Sequence, residues 1–173
     1  MLLKSKKMTS IYNNILKSKA NNEKLLAILL DPDKIDWNNL ALLIKKITQS
    51  PATHIFIGGS LVETNFLDDL ISKIKQNCFL PVVLFPENPS QISDIADAIL
   101  FLSLISGRNP GFLIELQVNA APILKKIQLE IISTGYILVE SGSEIAVERI
   151  SKTTPLERDN TNWHWQQPKP EKC

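Results

Sequence analysis

Charge of one sign is nearly absent as a net quantity: 19 Lys and Arg stand against 18 Asp and Glu, leaving a formal charge of +1. Without a bulk positive field, a nucleic-acid partner or an acidic membrane surface has nothing to draw it in. Cysteine is scarce too. Cys78 and Cys173 have no metal-ligand spacing, so neither a disulfide framework nor a zinc site is suggested, and reduced thiols are expected. No apolar run reaches the roughly 18 residues that a membrane-spanning helix needs, and the basic stretch 1–8 lacks the apolar core of a signal peptide, so a cytoplasmic protein with no transmembrane segment is expected. A Gly-x-x-x-x-Gly-Lys phosphate loop is missing, and no Ser/His/Asp, Cys/His or paired-carboxylate constellation can be assembled, which leaves the catalytic residues unassigned.

What is present is an ordinary globular composition, 44% hydrophobic and 21% charged over 173 residues, enough for one sizeable core. After a short amphipathic segment at 11–19, residues 25–30 form an unbroken apolar run that stops at Asp31-Pro32-Asp33. Such a run predicts a strand buried on both faces. A helix face follows through Leu40, Leu43, Ile44 and Ile47. The alternation then repeats: a strand at 55–57 ending in Gly58-Gly59-Ser60, a helix through Leu67, Leu70, Ile71 and Ile74, and a third strand at 81–85. A short helix is expected at 91–97, a fourth strand at 98–104, a longer helix from 112 to about 127, and a fifth strand at 136–139.

Alternating strands and helices predict an α/β protein with a parallel sheet. A doubly wound open sheet suits the length, since a (β/α)8 barrel typically takes about 250 residues. Polar or glycine signals recur after successive strands, at Asp31, Gly58-Gly59-Ser60, Glu87-Asn88 and residues 106–109, and that recurrence suits the single catalytic mouth of a barrel.

The spellings are more specific than the positions. Leu30-Asp31-Pro32-Asp33-Lys34, Ile57-Gly58-Gly59-Ser60, residues 102–110 (Leu-Ser-Leu-Ile-Ser-Gly-Arg-Asn-Pro), Thr134-Gly135-Tyr136-Ile137-Leu138, Thr154-Pro155 and Arg158-Asp159-Asn160 follow one another in order across residues 24–160. Together they resemble the geranylgeranylglyceryl phosphate synthase family. The resemblance implies an incomplete (β/α)8 TIM barrel, with about five βα units present and residues 1–160 forming its N-terminal part. It also implies transfer of a geranylgeranyl or other polyprenyl group from its diphosphate to the 3-hydroxyl of sn-glycerol 1-phosphate, in phospholipid biosynthesis. Family magnesium ligands carry over to Asp31 and Ser60, so Mg²⁺ is the implied cofactor. Tyr136 matches a tyrosine associated with the substrate cleft. Full-length relatives are expected to form homo-oligomers. Our own addition is that Gly58 and Gly59, lacking side chains, let the backbone approach phosphate oxygens.

Each motif also has a plainer reading. Asp-Pro-Asp is ordinary turn chemistry. Arg108 reads as a solvated turn residue, His54 as a structural side chain and Trp37 as local packing on the new helix.

Residues 161–173 break the resemblance, reading Thr-Asn-Trp-His-Trp-Gln-Gln-Pro-Lys-Pro-Glu-Lys-Cys where the family has an alanine-rich helix leading to a glycerol-phosphate segment. Read from the third base of the Asn162 codon, the shifted frame must encode Leu-Ala-Leu-Ala, a strongly helix-forming run. A frameshifted tail on a truncated and inactive chain is therefore expected. A non-catalytic relic or interaction fragment, or another phosphate-handling α/β enzyme, stands as the alternative.

Overall fold

The computed structural model describes residues 10–59 and 64–159, with backbone only at 64 and 65. Five strands form one parallel sheet in the order β1-β2-β3-β4-β5: β1 (Ala27–Leu30), β2 (His54–Ile57), β3 (Val82–Leu84), β4 (Ala98–Leu104) and β5 (Glu130–Tyr136). Helices α1 (Ile11–Ala20), α2 (Leu40–Gln49), α3 (Thr64–Asn77), α4 (Leu116–Leu124) and α5 (Ala146–Ser151) accompany them. Consecutive strands that pair in chain order, each crossing back through a helix or turn, are the first five units of a (β/α)8 barrel, whereas a doubly wound sheet reverses its order at a switch point.

Strand periodicity sorts the apolar residues into two layers. Ile55, Ile57, Val82, Leu84 and Ile99 face outward and pack on Leu40, Ile44 and Ile47 of α2, Leu67, Leu70, Ile71 and Ile74 of α3, and Ala120 and Leu124 of α4. Burying each of these large side chains contributes about 1.5–3 kcal/mol, which is why the 3.6-residue faces of α2 and α3 were legible in the sequence. Val83, Ala98, Leu100 and Ile132 face inward, joined by Phe56, Phe85 and Leu102. Helix α1 caps this inner layer with Ile11 and Ile15. It is held at the N-terminal end of β5, where the Glu130 carboxylate accepts from Ser10 Oγ (2.6 Å), Ile11 N (2.7 Å) and Tyr12 N (2.9 Å).

Three sequence expectations need correction. Strand β1 is not buried on both faces, because among the described residues it is the sheet edge, and Leu29 is 56% exposed. The short helix at 91–97 is replaced by a 3-10 turn, Pro89–Gln91, capped by the Asn88 side chain, which accepts from Ser90 N at 2.9 Å. The fifth strand lies at Glu130–Tyr136 rather than 136–139. Its polar Glu130, Ser133 and Thr134 hide it from an apolar-run criterion, since an edge strand tolerates such residues. The long helix opens with a π-helical segment, Gly111–Glu115, before α4. The expected tail, 161–173, lies outside the described residues.

Candidate active site

The loops that leave β1, β2 and β3 meet at one rim of the sheet. Strand β1 ends at Leu30, and Asp31 opens a 3-10 turn, Pro32–Lys34, with proline supplying the fixed φ of its first position. The Asp31 side chain caps that turn: Oδ1 accepts from Asp33 N at 3.2 Å, and Oδ2 accepts from Lys34 Nζ at 2.6 Å. The hydrogen bond to Asp31 and then its negative charge push the Lys34 ammonium above its usual pKa. The Asp31 carboxylate keeps 22% of its surface in solvent, so it is anchored yet reachable.

After β2 the backbone passes between two neighbours that leave no room for side chains. Gly58 N donates to Leu30 O at 3.2 Å, and a Cβ on Gly58 would stand 2.8 Å from the carbonyl carbon of Phe85 and nearer still to its oxygen. A Cβ on Gly59 would stand 2.8 Å from Asp31 Cγ. Close backbone approach, rather than an unusual φ, explains both glycines. The Asp31 carboxylate thus lies directly against Gly59, so the structure brings two of the sequence-predicted site residues into contact. Ser60 follows in the chain but lies outside the described residues.

Gln91 ties this arrangement to β3. Its Nε2 donates to Gly59 O at 2.5 Å and its Oε1 accepts from Glu87 N at 2.8 Å, with only 2% of the residue exposed. No sequence signal marked it, because its function depends on a contact 32 residues away in the chain.

Tyr136, the last residue of β5, stands at the same rim. Its ring packs edge-on against Phe85 at 5.8 Å between centroids, and Phe85 stacks on Phe56 at 6.4 Å. Burial, and secondarily the negative charge of Glu87, raise the phenol above its ordinary pKa. From this rim an apolar groove runs between β4 and the α4 segment, with Ile99, Leu102, Phe112, Leu116 and Ala120 in its walls and Tyr136, Phe85 and Glu87 at its mouth. Gln117 crosses the groove wall. Its Nε2 donates to Leu102 O, and its buried Oε1 has no partner among the described residues.

The remaining sequence candidates are structural. His54 begins β2, at the end opposite the rim. It is buried, its Nδ1 lies 2.8 Å from Thr53 Oγ1, and burial pushes its pKa down. Arg108 is exposed and folds back onto Gly107 O at 2.8 Å. Ser106 Oγ accepts from Leu138 N at 2.9 Å, and Asn109 donates to Ser151 O at 2.8 Å, so the loop after β4 fastens the α5 region. Trp37 packs against Phe66 at 6.3 Å with the Lys73 ammonium over its ring.

A magnesium ion fits the chemistry of this rim. Among the described residues no three His, Cys, Asp or Glu side chains gather to cage a metal. One reachable carboxylate set against a glycine backbone suits a hard cation that keeps waters and shares substrate phosphates, which is the usual habit of Mg²⁺. Asp31 would hold it, in place of the Lys34 ammonium that rests on Oδ2 in this structure.

Comparisons with known proteins agree with the fold. The PcrB family profile matches residues 18–163. The chain is 65% identical over 158 residues to the geranylgeranylglyceryl phosphate synthase of Flavobacterium johnsoniae, covering 91% of this chain and 65% of that protein. It is 50% identical over 149 residues to the enzyme of the same name from Chitinophaga pinensis, covering 86% and 59%. Among solved structures, the (S)-3-O-geranylgeranylglyceryl phosphate synthase of Thermoplasma acidophilum in complex with substrate sn-glycerol-1-phosphate superposes with a TM-score of 0.83 at 28% identity, covering 92% of this chain and 64% of that one. The chain therefore spans less than two thirds of the length of each of these relatives.

Proposed function

The chain belongs to the PcrB family, and on that premise we propose that it carries the prenyl diphosphate half of a polyprenyltransferase site. The reaction breaks the bond between C1 of a polyprenyl diphosphate and its leaving oxygen, joins C1 to the 3-hydroxyl oxygen of sn-glycerol 1-phosphate, and releases diphosphate and a proton. The observation that carries this reading is the junction of Asp31 with Gly58-Gly59, joined to an apolar groove through Phe85, whose backbone meets Gly58 and which also lines the groove.

Each residue has a task that follows from its place. Asp31 holds the cation and moves no proton. Gly59 lets phosphate oxygens come up to the main chain, while Gly58, its N–H given to Leu30 O and its open face filled by Phe85, seats the end of β2 in the rim; Ser60, next in sequence, would supply a second hard oxygen. When bound, magnesium neutralises the charge that builds on the departing diphosphate. The groove between β4 and α4 takes the prenyl tail and keeps water from the allylic carbon, while Tyr136 and Phe85 pack against the end of the tail nearest the diphosphate. The described helices include none long and apolar enough to cross a membrane; we place the protein in the cytoplasm, and its full-length relatives in homo-oligomers.

Residues 1–160 form the barrel portion in this reading, and 161–173 are a divergent tail. Assayed alone, the 173-residue polypeptide is expected to bind prenyl diphosphate without turning it over, since it spans less than two thirds of the length of the relatives it matches. The exposed edge at β1, with Leu29 bare, favours a second reading in which the fragment persists by pairing with another chain.

A chimera decides between them. Residues 1–160 joined to the last third of the Flavobacterium johnsoniae relative should form glycerol-linked prenyl product from radiolabelled geranylgeranyl diphosphate in a magnesium-dependent way, and Asp31→Ala should abolish it. A folded chimera that makes no product would sink the prenyltransferase reading.

A further inference from the structure

We propose that Gln91 is the positioning residue of this site: its side-chain amide fixes the Gly59 carbonyl, and through Gly59 it sets the surface against which the Asp31 carboxylate and a diphosphate rest. The proposal rests on the magnesium–diphosphate reading above. Two consecutive glycines are the least constrained backbone a chain can offer, so a phosphate-facing turn built from them is pre-organised only if something outside restrains it. Here the restraint is explicit. Phe85 backbone blocks Gly58 on one side, the Asp31 carboxylate lies against Gly59 on another, and Gln91 Nε2 holds Gly59 O at 2.5 Å.

The orientation of the amide is not ambiguous. Glu87 N–H is a donor, so the atom facing it at 2.8 Å must be Oε1; Gly59 C=O is an acceptor, so the atom facing it must be Nε2. One buried amide therefore links the loop after β2 to the loop after β3, and the 3-10 turn Pro89–Gln91, capped by Asn88, aims it. A residue with a purely structural role would lend stability and nothing else. A positioning residue also sets affinity in molecules that are fully folded.

The test uses the 173-residue chain, with inorganic diphosphate and Mg²⁺ titrated calorimetrically well below the unfolding midpoint. Gln91→Glu keeps the shape and the acceptor for Glu87 N but turns an oxygen towards Gly59 O; Gln91→Met removes both hydrogen bonds while filling similar space. The expected result is magnesium-dependent binding by the unaltered chain and a dissociation constant raised roughly tenfold or more in both variants at pH 8. For Gln91→Glu, the deficit relative to the unaltered chain at the same pH should shrink as acid protonates the introduced carboxyl, which then donates to Gly59 O. Variants that lose stability in urea yet bind with the unaltered dissociation constant would overturn the proposal. Asp31→Asn separates this failure from that of the underlying reading. If the unaltered chain shows no magnesium-dependent binding, or if Asp31→Asn leaves it intact, the site itself is misread and the role of Gln91 falls with it.

Discussion

Gly59 lies so close beneath the Asp31 carboxylate that a Cβ there would stand 2.8 Å from Asp31 Cγ, while a Cβ on its neighbour Gly58 would stand as far from the carbonyl carbon of Phe85 and nearer still to its oxygen. Gly58 is the more crowded, and the two are crowded by different things. A carboxylate can swing aside; a strand backbone cannot. Gly58→Ala is expected to destabilise the chain by about 2–3 kcal/mol and Gly59→Ala by about 1 kcal/mol, the cost of overpacking depending on how readily the neighbour moves. Urea denaturation checks the order. Gly59→Ala should nonetheless be the more harmful of the two to magnesium-dependent diphosphate binding per folded molecule.

Helix α1 hangs on one carboxylate. Burial works to raise the Glu130 pKa, but the hydrogen bonds from Ser10 Oγ, Tyr12 N and Ile11 N outweigh it and hold the group below its usual value. A carboxylate depressed in the folded state contributes stability that is fully present above its unfolded pKa and is lost as pH falls through the folded one. The α1 amides are therefore expected to exchange faster with solvent as pH drops below the ordinary carboxylate range, after correction for intrinsic exchange. Glu130→Gln should produce that loosening at neutral pH, at a cost of about 1–2 kcal/mol.

His54 gives a second, separate pH dependence. Burial lowers its pKa from 6.5, so the unfolded chain binds a proton more readily than the folded one. Stability from this group is complete above pH 6.5 and falls as pH drops towards the folded pKa. A series of unfolding midpoints between pH 8 and pH 5 should show the slope, and His54→Asn should flatten it.

Ala120 lies in the wall of the groove opposite β4. Ala120→Phe is expected to fill that space, weakening geranylgeranyl diphosphate binding by roughly tenfold or more, at a stability cost of about 1–3 kcal/mol. Inorganic diphosphate should bind as before. Equal losses for both ligands would mean that the groove does not take the prenyl tail.

The sequence made much of this legible because buried parallel strands are written as short apolar runs, and β2, β3 and β4 end at the polar or glycine residues that mark the rim. Asp31, Gly58 and Gly59 were placed at that rim by their positions after strands and by their spelling; Tyr136 was tied to a substrate cleft by its spelling alone, since the fifth strand was expected to begin at that residue and instead ends there. What escaped depended on contacts distant in sequence. Glu130 reads as a polar residue between a helix and a strand until Ser10 is seen 120 positions away, and β5 was displaced as a result. Gln91 reads as the start of a helix, because nothing local says that its amide spans two loops. The π-helical opening of α4 is likewise invisible, since its side-chain periodicity differs from an α-helix only over Gly111–Glu115.

The most direct test is a titration of geranylgeranyl diphosphate into the 173-residue chain with and without Mg²⁺, repeated on Asp31→Asn. Binding that requires magnesium and is lost in Asp31→Asn is the expected result. Binding of equal strength in the presence of a chelator, or in Asp31→Asn, would contradict the assignment of this rim as a magnesium–diphosphate site.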